Sequence, residues 1–302
     1  MKRDFLSIDN LKLDEIKYIF GVTERLKKNN LNLLRLGQGS NILSGKTLAM
    51  IFAKPSTRTR VSFEVGMQQL GGHAIFLGVH DIQLGHGETI GDTAKVLSRY
   101  VDIIMARLFD HNDILELADK AEVPVINGLT DKLHPCQILA DMYTLREKFG
   151  KLEGLKLSYV GDAGNNICQS LMYAANKLGL EMTIGCPPNY KPDKEIQSFT
   201  DIKITKNPKE AVKNADVVYT DTWISMGDKQ AKKRIKDLTP YQINSDLMKH
   251  AKKTAVVMHD LPAHRGNEIT DGVMDGPQSI ILDQAENRLH VQKGIMVWCL
   301  GK

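Results

Sequence analysis

Between residues 46 and 282 the chain alternates short, nearly continuous apolar runs with longer stretches whose apolar positions return at helical spacing. A short apolar run bounded by turn residues reads as a buried strand, and a helical stretch between two of them as the crossover that parallel strands require. In the first half the predicted strands are TLAMIF (47–52), AIFL (74–77), DIIMAR (102–107) and VPVIN (123–127). Ile90, Ala94, Leu97 and Val101 line one helix face between two of them, and Phe63, Met67 and Leu70 line another, closed by Gly71 and Gly72. A second series follows Gly150: LKLSYVGD (155–162), EMTIGC (181–186), ADVVYTD (215–221), TAVVMHD (254–260) and SIILD (279–283). The expected fold class is therefore α/β, two doubly wound parallel-sheet domains joined by helices.

The join is a helix. In HPCQILADMYTLREKFG, Ile138, Met142, Leu145 and Phe149 share one face, and Gly150 stands at the C-terminal cap position. The expected boundaries are residues 1–135 for the first domain, 136–149 for the joining helix and 150–283 for the second domain. The last segment, 284–302, is expected to be a helix that packs back on the first domain, and NLKLDEIKYIF near the start predicts another helix.

Composition narrows the function without naming one. A length of 302 residues with 42% hydrophobic and 25% charged positions is that of an ordinary globular chain, long enough for two cores. The net charge of +4 is too small to point to nucleic acid or an anionic membrane. The densest basic run, KQAKKRIKD (229–237), has no interleaved aromatic and reads as a solvated helix face. Cys136, Cys168, Cys186 and Cys299 form no CxxC, which fits free thiols in a reducing cytoplasm. No apolar stretch has the length of a signal peptide or a membrane span. The expected partners are small anions.

KPSTRTRVSFE (54–64) supplies the candidate anion site. A strand ending at Phe52, a turn rich in hydroxyls and a helix opening near Thr59 aim free backbone N–H groups and the positive end of the helix dipole at one point. Ser56, Thr57 and Thr59 add hydroxyls, and Arg58 a planar fork suited to two phosphate oxygens. GxxxxGK[ST] is absent, so the pattern favours a small phosphorylated ligand over a nucleotide.

More polar clusters fall at predicted strand ends, where ligands bind in open α/β sheets. Arg107 closes DIIMAR, and HPCQ (134–137) follows VPVIN. An Arg and a His near a phosphate polarise a neighbouring carbonyl, and Gln137 can orient an amide; taken singly, Arg107 reads better as a surface ion pair and His134 as a core histidine. VGDAGNN (160–166) lacks GxGxxG, and its Asn165 and Asn166 suit either a polar substrate or a helix cap. DTWISMG (221–227) offers Asp221, Ser225 and Met226 to a zwitterionic amino acid. MHDLPAHRG (258–266) invites a metal reading, but its histidine spacing is not HExxH, and no metal is expected.

In order along almost the whole chain, STRTR, DIQLGHGETIGDTAKVLSRYVDIIMAR, HPCQILAD, GDAGNN, DTWISMG, HDLPAHRG and DQAENRLH resemble the ornithine carbamoyltransferases. The resemblance implies a carbamoyl-phosphate domain, an amino-acid domain and a homotrimer or assembly of trimers. It implies transfer of a carbamoyl group to L-ornithine, giving L-citrulline, with no cofactor. Ser56, Thr57, Arg58, Thr59 and Arg288 would hold the phosphate, and Arg107, His134 and Gln137, with Pro135 and Cys136 of the same motif, the carbamoyl group. Gln83 would reach a neighbouring subunit's site, and Leu261 would offer its carbonyl to the carbamoyl nitrogen. Asn166, Asp221, Ser225 and Met226 would bind ornithine.

One position departs from the family pattern: Asp260 stands where the family has cysteine. An alkylammonium must lose a proton before it attacks, and a carboxylate accepts a proton but also favours the charged amine. Asp221 and Asp260 are therefore expected to form a coupled pair that changes the pH dependence. The departure leaves open another acceptor, such as putrescine, an N-acylated ornithine or aspartate, and a silent paralogue that binds carbamoyl phosphate without turnover.

Overall fold

The computed structural model describes residues 2–35, 40–224 and 230–302. They divide into two compact units, residues 1–143 with 286–302 and residues 144–285.

The first unit holds four parallel strands, β1 (Thr47–Phe52), β2 (His73–Gly78), β3 (Ile103–Arg107) and β4 (Val125–Leu129), in the order β2-β1-β3-β4. Helices α1 (Leu13–Arg35), α2 (Thr57–Gln69), α3 (Ile90–Leu97) and α4 (His111–Lys120) accompany them. β1 and β3 are buried on both faces, which is why they read as continuous apolar runs and not as alternation. Ala49, Ile51, Ile104 and Ala106 pack on Ala94, Ile114 and Leu117 of α3 and α4, with Ile90 and Leu97 half-buried at the margin. Register sets Phe52 beside both Gly78 and Arg107, so the C-terminal ends of three strands are level.

α5 (Pro135–Phe149) begins in the first unit and ends in the second. Its first two turns and more, residues 135–145, are buried on every side, not on the single face the spacing predicted. The second unit carries β5 (Lys156–Val160), β6 (Glu181–Gly185), β7 (Lys203–Thr205), β8 (Val217–Tyr219) and β9 (Val256–Met258), all parallel, in the order β7-β6-β5-β8-β9. Around them lie α6 (Asn166–Leu178), α7 (Lys194–Phe199), α8 (Pro208–Ala211), α9 (Ala231–Leu238), α10 (Ser245–Met248) and α11 (Asp271–Met274). α12 (Ile281–Cys299) starts in this unit and returns to the first.

Two strand readings are corrected. SIILD (279–283) is not a strand: Ser279 makes one isolated bridge to Val257, and α12 begins at Ile281. A short apolar run does not distinguish a strand from the buried first turn of a helix. β7 escaped prediction because KIT is three residues long with one apolar side chain at a sheet edge. Among the described residues, no helix is long and apolar enough to cross a membrane.

Candidate active site

In the first unit Arg107 closes β3, Arg58 lies in the first turn of α2 and His134 follows β4 just ahead of α5. Ser56, in extended conformation, caps α2 by accepting from the Thr59 N–H at 3.2 Å. Of the three cations in residues 54–60, two are committed elsewhere. Lys54 pairs with Asp131 and sits 4.3 Å from the Phe109 ring centre; Arg60 pairs with Glu64 at 3.0 Å and stacks 3.8 Å from the Phe76 ring centre. Arg58 instead acts on His134.

His134 is buried just ahead of α5, and burial, then Arg288, Arg107 and Arg58, hold its pKa well below the usual imidazole value. The imidazole is thus neutral at physiological pH and lies in the field of three guanidinium groups. Arg288, on α12, is fixed from below: it donates to Gln137 Oε1 and, at 3.1 Å, to Thr59 Oγ1, and Gln137 donates to Asp141 Oδ1 at 2.8 Å. Arg288, Gln137 and Thr59 are all buried. Such a chain joins α2, α5 and α12 and orients the guanidinium plane. Pro135 is the first residue of α5. Cys136 turns away, its Sγ donating to the Asn127 carbonyl at 3.3 Å, and burial pushes its thiol up to about 12. Gln83 is exposed at the start of a single turn of 3-10 helix. The arrangement suits a small phosphorylated ligand with a polarisable carbonyl.

In the second unit the site is acidic. Gly161, with φ 133°, turns the chain at the end of β5, where a Cβ would stand 3.0 Å from Trp223 Nε1. Asn165 caps α6 by accepting from the Cys168 N–H at 2.8 Å, while its Nδ2 donates to Asp221 Oδ2 and to the Tyr159 hydroxyl, each at 2.9 Å. Of the two asparagines, Asn165 is therefore the cap, and Asn166 is the partly exposed first residue of α6. Asp221 Oδ1 also accepts from the Thr222 N–H at 2.5 Å. Burial and then the neighbouring Asp260 raise the Asp221 pKa well above the usual carboxyl range.

Asp221, His259 and Asp260 bring one donor atom each within 4.8 Å of one another. His259 Nδ1 accepts from the Leu261 N–H at 2.9 Å, and its Nε2 faces Glu268 Oε1 at 3.3 Å, so the ring nitrogens serve the loop. What remains is a carboxyl pair beside an occupied imidazole, not a metal ligand set. Leu261 has φ 64°, a left-handed backbone conformation. Ser225 and Met226 lie outside the described residues. Asp141 and Glu268 were not legible as site residues: each is a fully buried carboxyl, and burial is invisible in an exposed-looking sequence letter.

A two-unit parallel α/β protein with a cationic cluster on one unit and an acid pair on the other is the class these observations define. The family model described as the carbamoyl-P binding domain of aspartate/ornithine carbamoyltransferase matches residues 3–147, and that of the Asp/Orn binding domain matches residues 153–299. An ornithine carbamoyltransferase of Thermococcus kodakarensis is 50% identical over 309 residues, covering 99% of this chain and 96% of the relative. One of Methanoculleus marisnigri is 53% identical, covering 98% and 96%. The solved structure of the ornithine carbamoyltransferase from Pyrococcus furiosus superposes with a TM-score of 0.92 at 50% identity, covering 99% of this chain and 97% of that one. The chain belongs to the aspartate/ornithine carbamoyltransferase family.

Proposed function

We propose that this protein transfers the carbamoyl group of carbamoyl phosphate to the side-chain amine of L-ornithine, giving L-citrulline and phosphate. The observation that carries the donor half is the neutral, buried His134 in the field of Arg58, Arg107 and Arg288. Ser56, Thr57, Arg58, Thr59 and Arg288 take the phosphate. His134, Arg107 and Gln137 take the carbamoyl group, with Leu261 offering its carbonyl to the carbamoyl nitrogen. A neutral imidazole donates to the carbamoyl oxygen without competing with the arginines for the dianion. As the amine nitrogen bonds to the carbamoyl carbon, charge builds on that oxygen beside Arg107 and His134. The bond between the carbamoyl carbon and the bridging oxygen then breaks, its electron pair leaves on the phosphate, whose charge the arginines offset, and the proton shed by the attacking nitrogen leaves with the phosphate. Asp221, Asp260 and Asn166, with Ser225 and Met226, take the amino acid.

The same reading assigns a cytoplasmic homotrimer or assembly of trimers, with Gln83 serving a neighbouring copy. Supporting it, β2 is a sheet edge, and its Ile75 is 40% exposed and Val61 on the adjacent α2 50% exposed. All four cysteines are free thiols.

Incubation with carbamoyl phosphate and, separately, ornithine, putrescine, N-acetylornithine or aspartate tests the acceptor. Citrulline from ornithine is expected to exceed every other ureido product. A larger yield from another amine, or no product from any, overturns the assignment.

A further inference from the structure

The neighbouring parallel strands β8 and β9 pair Tyr219 with Met258. Two residues further along each strand direction stand Asp221 and Asp260, so the register itself delivers two carboxyl groups to one place. One carboxylate oxygen of each lies within 4.8 Å of the other. Asp221 is 7% exposed and the Asp260 side chain 12%, and Asp260 Oδ1 is buried with no donor among the described residues.

Among the described residues, the surrounding charges do not neutralise the pair. From β5 and α6 come Tyr159, Asp162 and Cys168, all neutral or acidic. From the β9 side come Glu268, His259 and His264. The His259 nitrogen nearest Asp260, at 3.6 Å, is the one that accepts the Leu261 N–H, so it presents a lone pair and not a proton. His264 Nδ1 is engaged with Thr222 Oγ1 at 2.8 Å, and Arg234 of α9 is paired with Asp162. Two buried carboxylates in contact repel unless a proton or a cation stands between them.

We propose that Asp221 and Asp260 share one proton in the free protein, and that the side-chain ammonium of the acceptor replaces it, sending the proton to solvent as the amino acid binds. The exchange balances: a carboxylic acid and a carboxylate plus R–NH3+ give two carboxylates around R–NH3+ and one H+. It rests on the proposed reading of ornithine as acceptor, and it makes the aspartate at 260, where cysteine stands in the family pattern, a residue that selects an acceptor by its charge. A thiol at that position, with an ordinary pKa of ~8.5, keeps its own proton at pH 7 and leaves Asp221 without a second carboxylate to share one.

Calorimetric titration of the full chain with L-ornithine at about pH 7, in buffers of different ionisation enthalpy, counts the protons exchanged. Release of about one proton per site is expected with ornithine and none with L-norvaline, which has the same backbone and no side-chain amine. The release disappears in Asp260→Asn and Asp260→Cys, and in the unaltered protein it declines as the pH is raised, because the pair is then already ionised. No release with ornithine, equal release with norvaline, or undiminished release in both variants overturns the proposal. The acceptor reading is judged separately: citrulline formation without proton release sinks only the shared proton, whereas absence of citrulline removes the acceptor itself.

Discussion

His134 has burial and three arginines holding it neutral, and this has a consequence for stability as well as for the site. An unfolded histidine takes up a proton near pH ~6.5, whereas the folded one does so only at lower pH. The unfolded state therefore binds more protons below that point, and stability falls as the pH drops through it. Urea midpoints at pH 5 and pH 7 are expected to differ less in His134→Gln than in the parent. The sign is opposite to that of a paired histidine, whose stabilisation is present at low pH. Asp221 behaves as a carboxyl with a raised folded pKa: it favours the folded state at acid pH and costs stability as the pH rises. Removing its charged neighbour in Asp260→Asn is expected to stabilise the fold at pH 7 by on the order of 1 kcal/mol, with the gain vanishing towards pH 4, as thermal melts at the two pH values show. The sequence marked Arg58, Arg107 and His134, and the family resemblance Arg288, as candidates for the chemistry, but not that Lys54 and Arg60 turn to Asp131 and Glu64. The partner of Lys54 lies far away in sequence, where no local pattern encodes it, whereas Arg60 and Glu64 form an i, i+4 helix pair that the spacing carries.

Helix α12 is held against α1 by a close approach that only glycine allows. A Cβ on Gly294 would stand 2.4 Å from Thr23 Oγ1 and 3.0 Å from the Ile19 carbonyl. Alanine is the better helix former, yet Gly294→Ala is expected to destabilise by about 1–3 kcal/mol, because overpacking at a backbone contact outweighs propensity. A lowered urea midpoint with an unchanged slope would show it. Because α12 also carries Arg288, the same substitution is expected to weaken donor binding. At this scale the strands with continuous apolar runs were legible nearly residue for residue, β1 most fully. α2 was legible from its turn hydroxyls and its closing glycines. SIILD failed because the same apolar pattern serves a helix start, and β7 failed because an edge strand of three residues has no periodicity to read. The complete burial of residues 135–145 was hidden too, since a helix packed on all sides still contains Asp141, Thr144 and Gln137, satisfied by internal hydrogen bonds.

Across the whole molecule, the family was legible because its motifs sit at strand ends, where fold and chemistry constrain the same letters. Two family models together cover residues 3–147 and 153–299, and relatives at about half identity run the length of the chain. Assembly is expected only through that resemblance, for no pattern in the sequence marks Ile75 and Val61 as an exposed apolar pair. If they are covered by another copy, light scattering on the parent is expected to give a trimer or a multiple of it, and Ile75→Lys a smaller species; a monomeric parent contradicts the assembly. The proposed activity depends on the arginine cluster about a neutral histidine as the receptor for a phosphorylated donor. Calorimetry with carbamoyl phosphate tests it most directly. Heat of binding from the folded parent, lost or at least tenfold weakened in Arg58→Ala, about 1.4 kcal/mol, is the predicted result. No heat from the parent, or equal affinity in the variant, would contradict it.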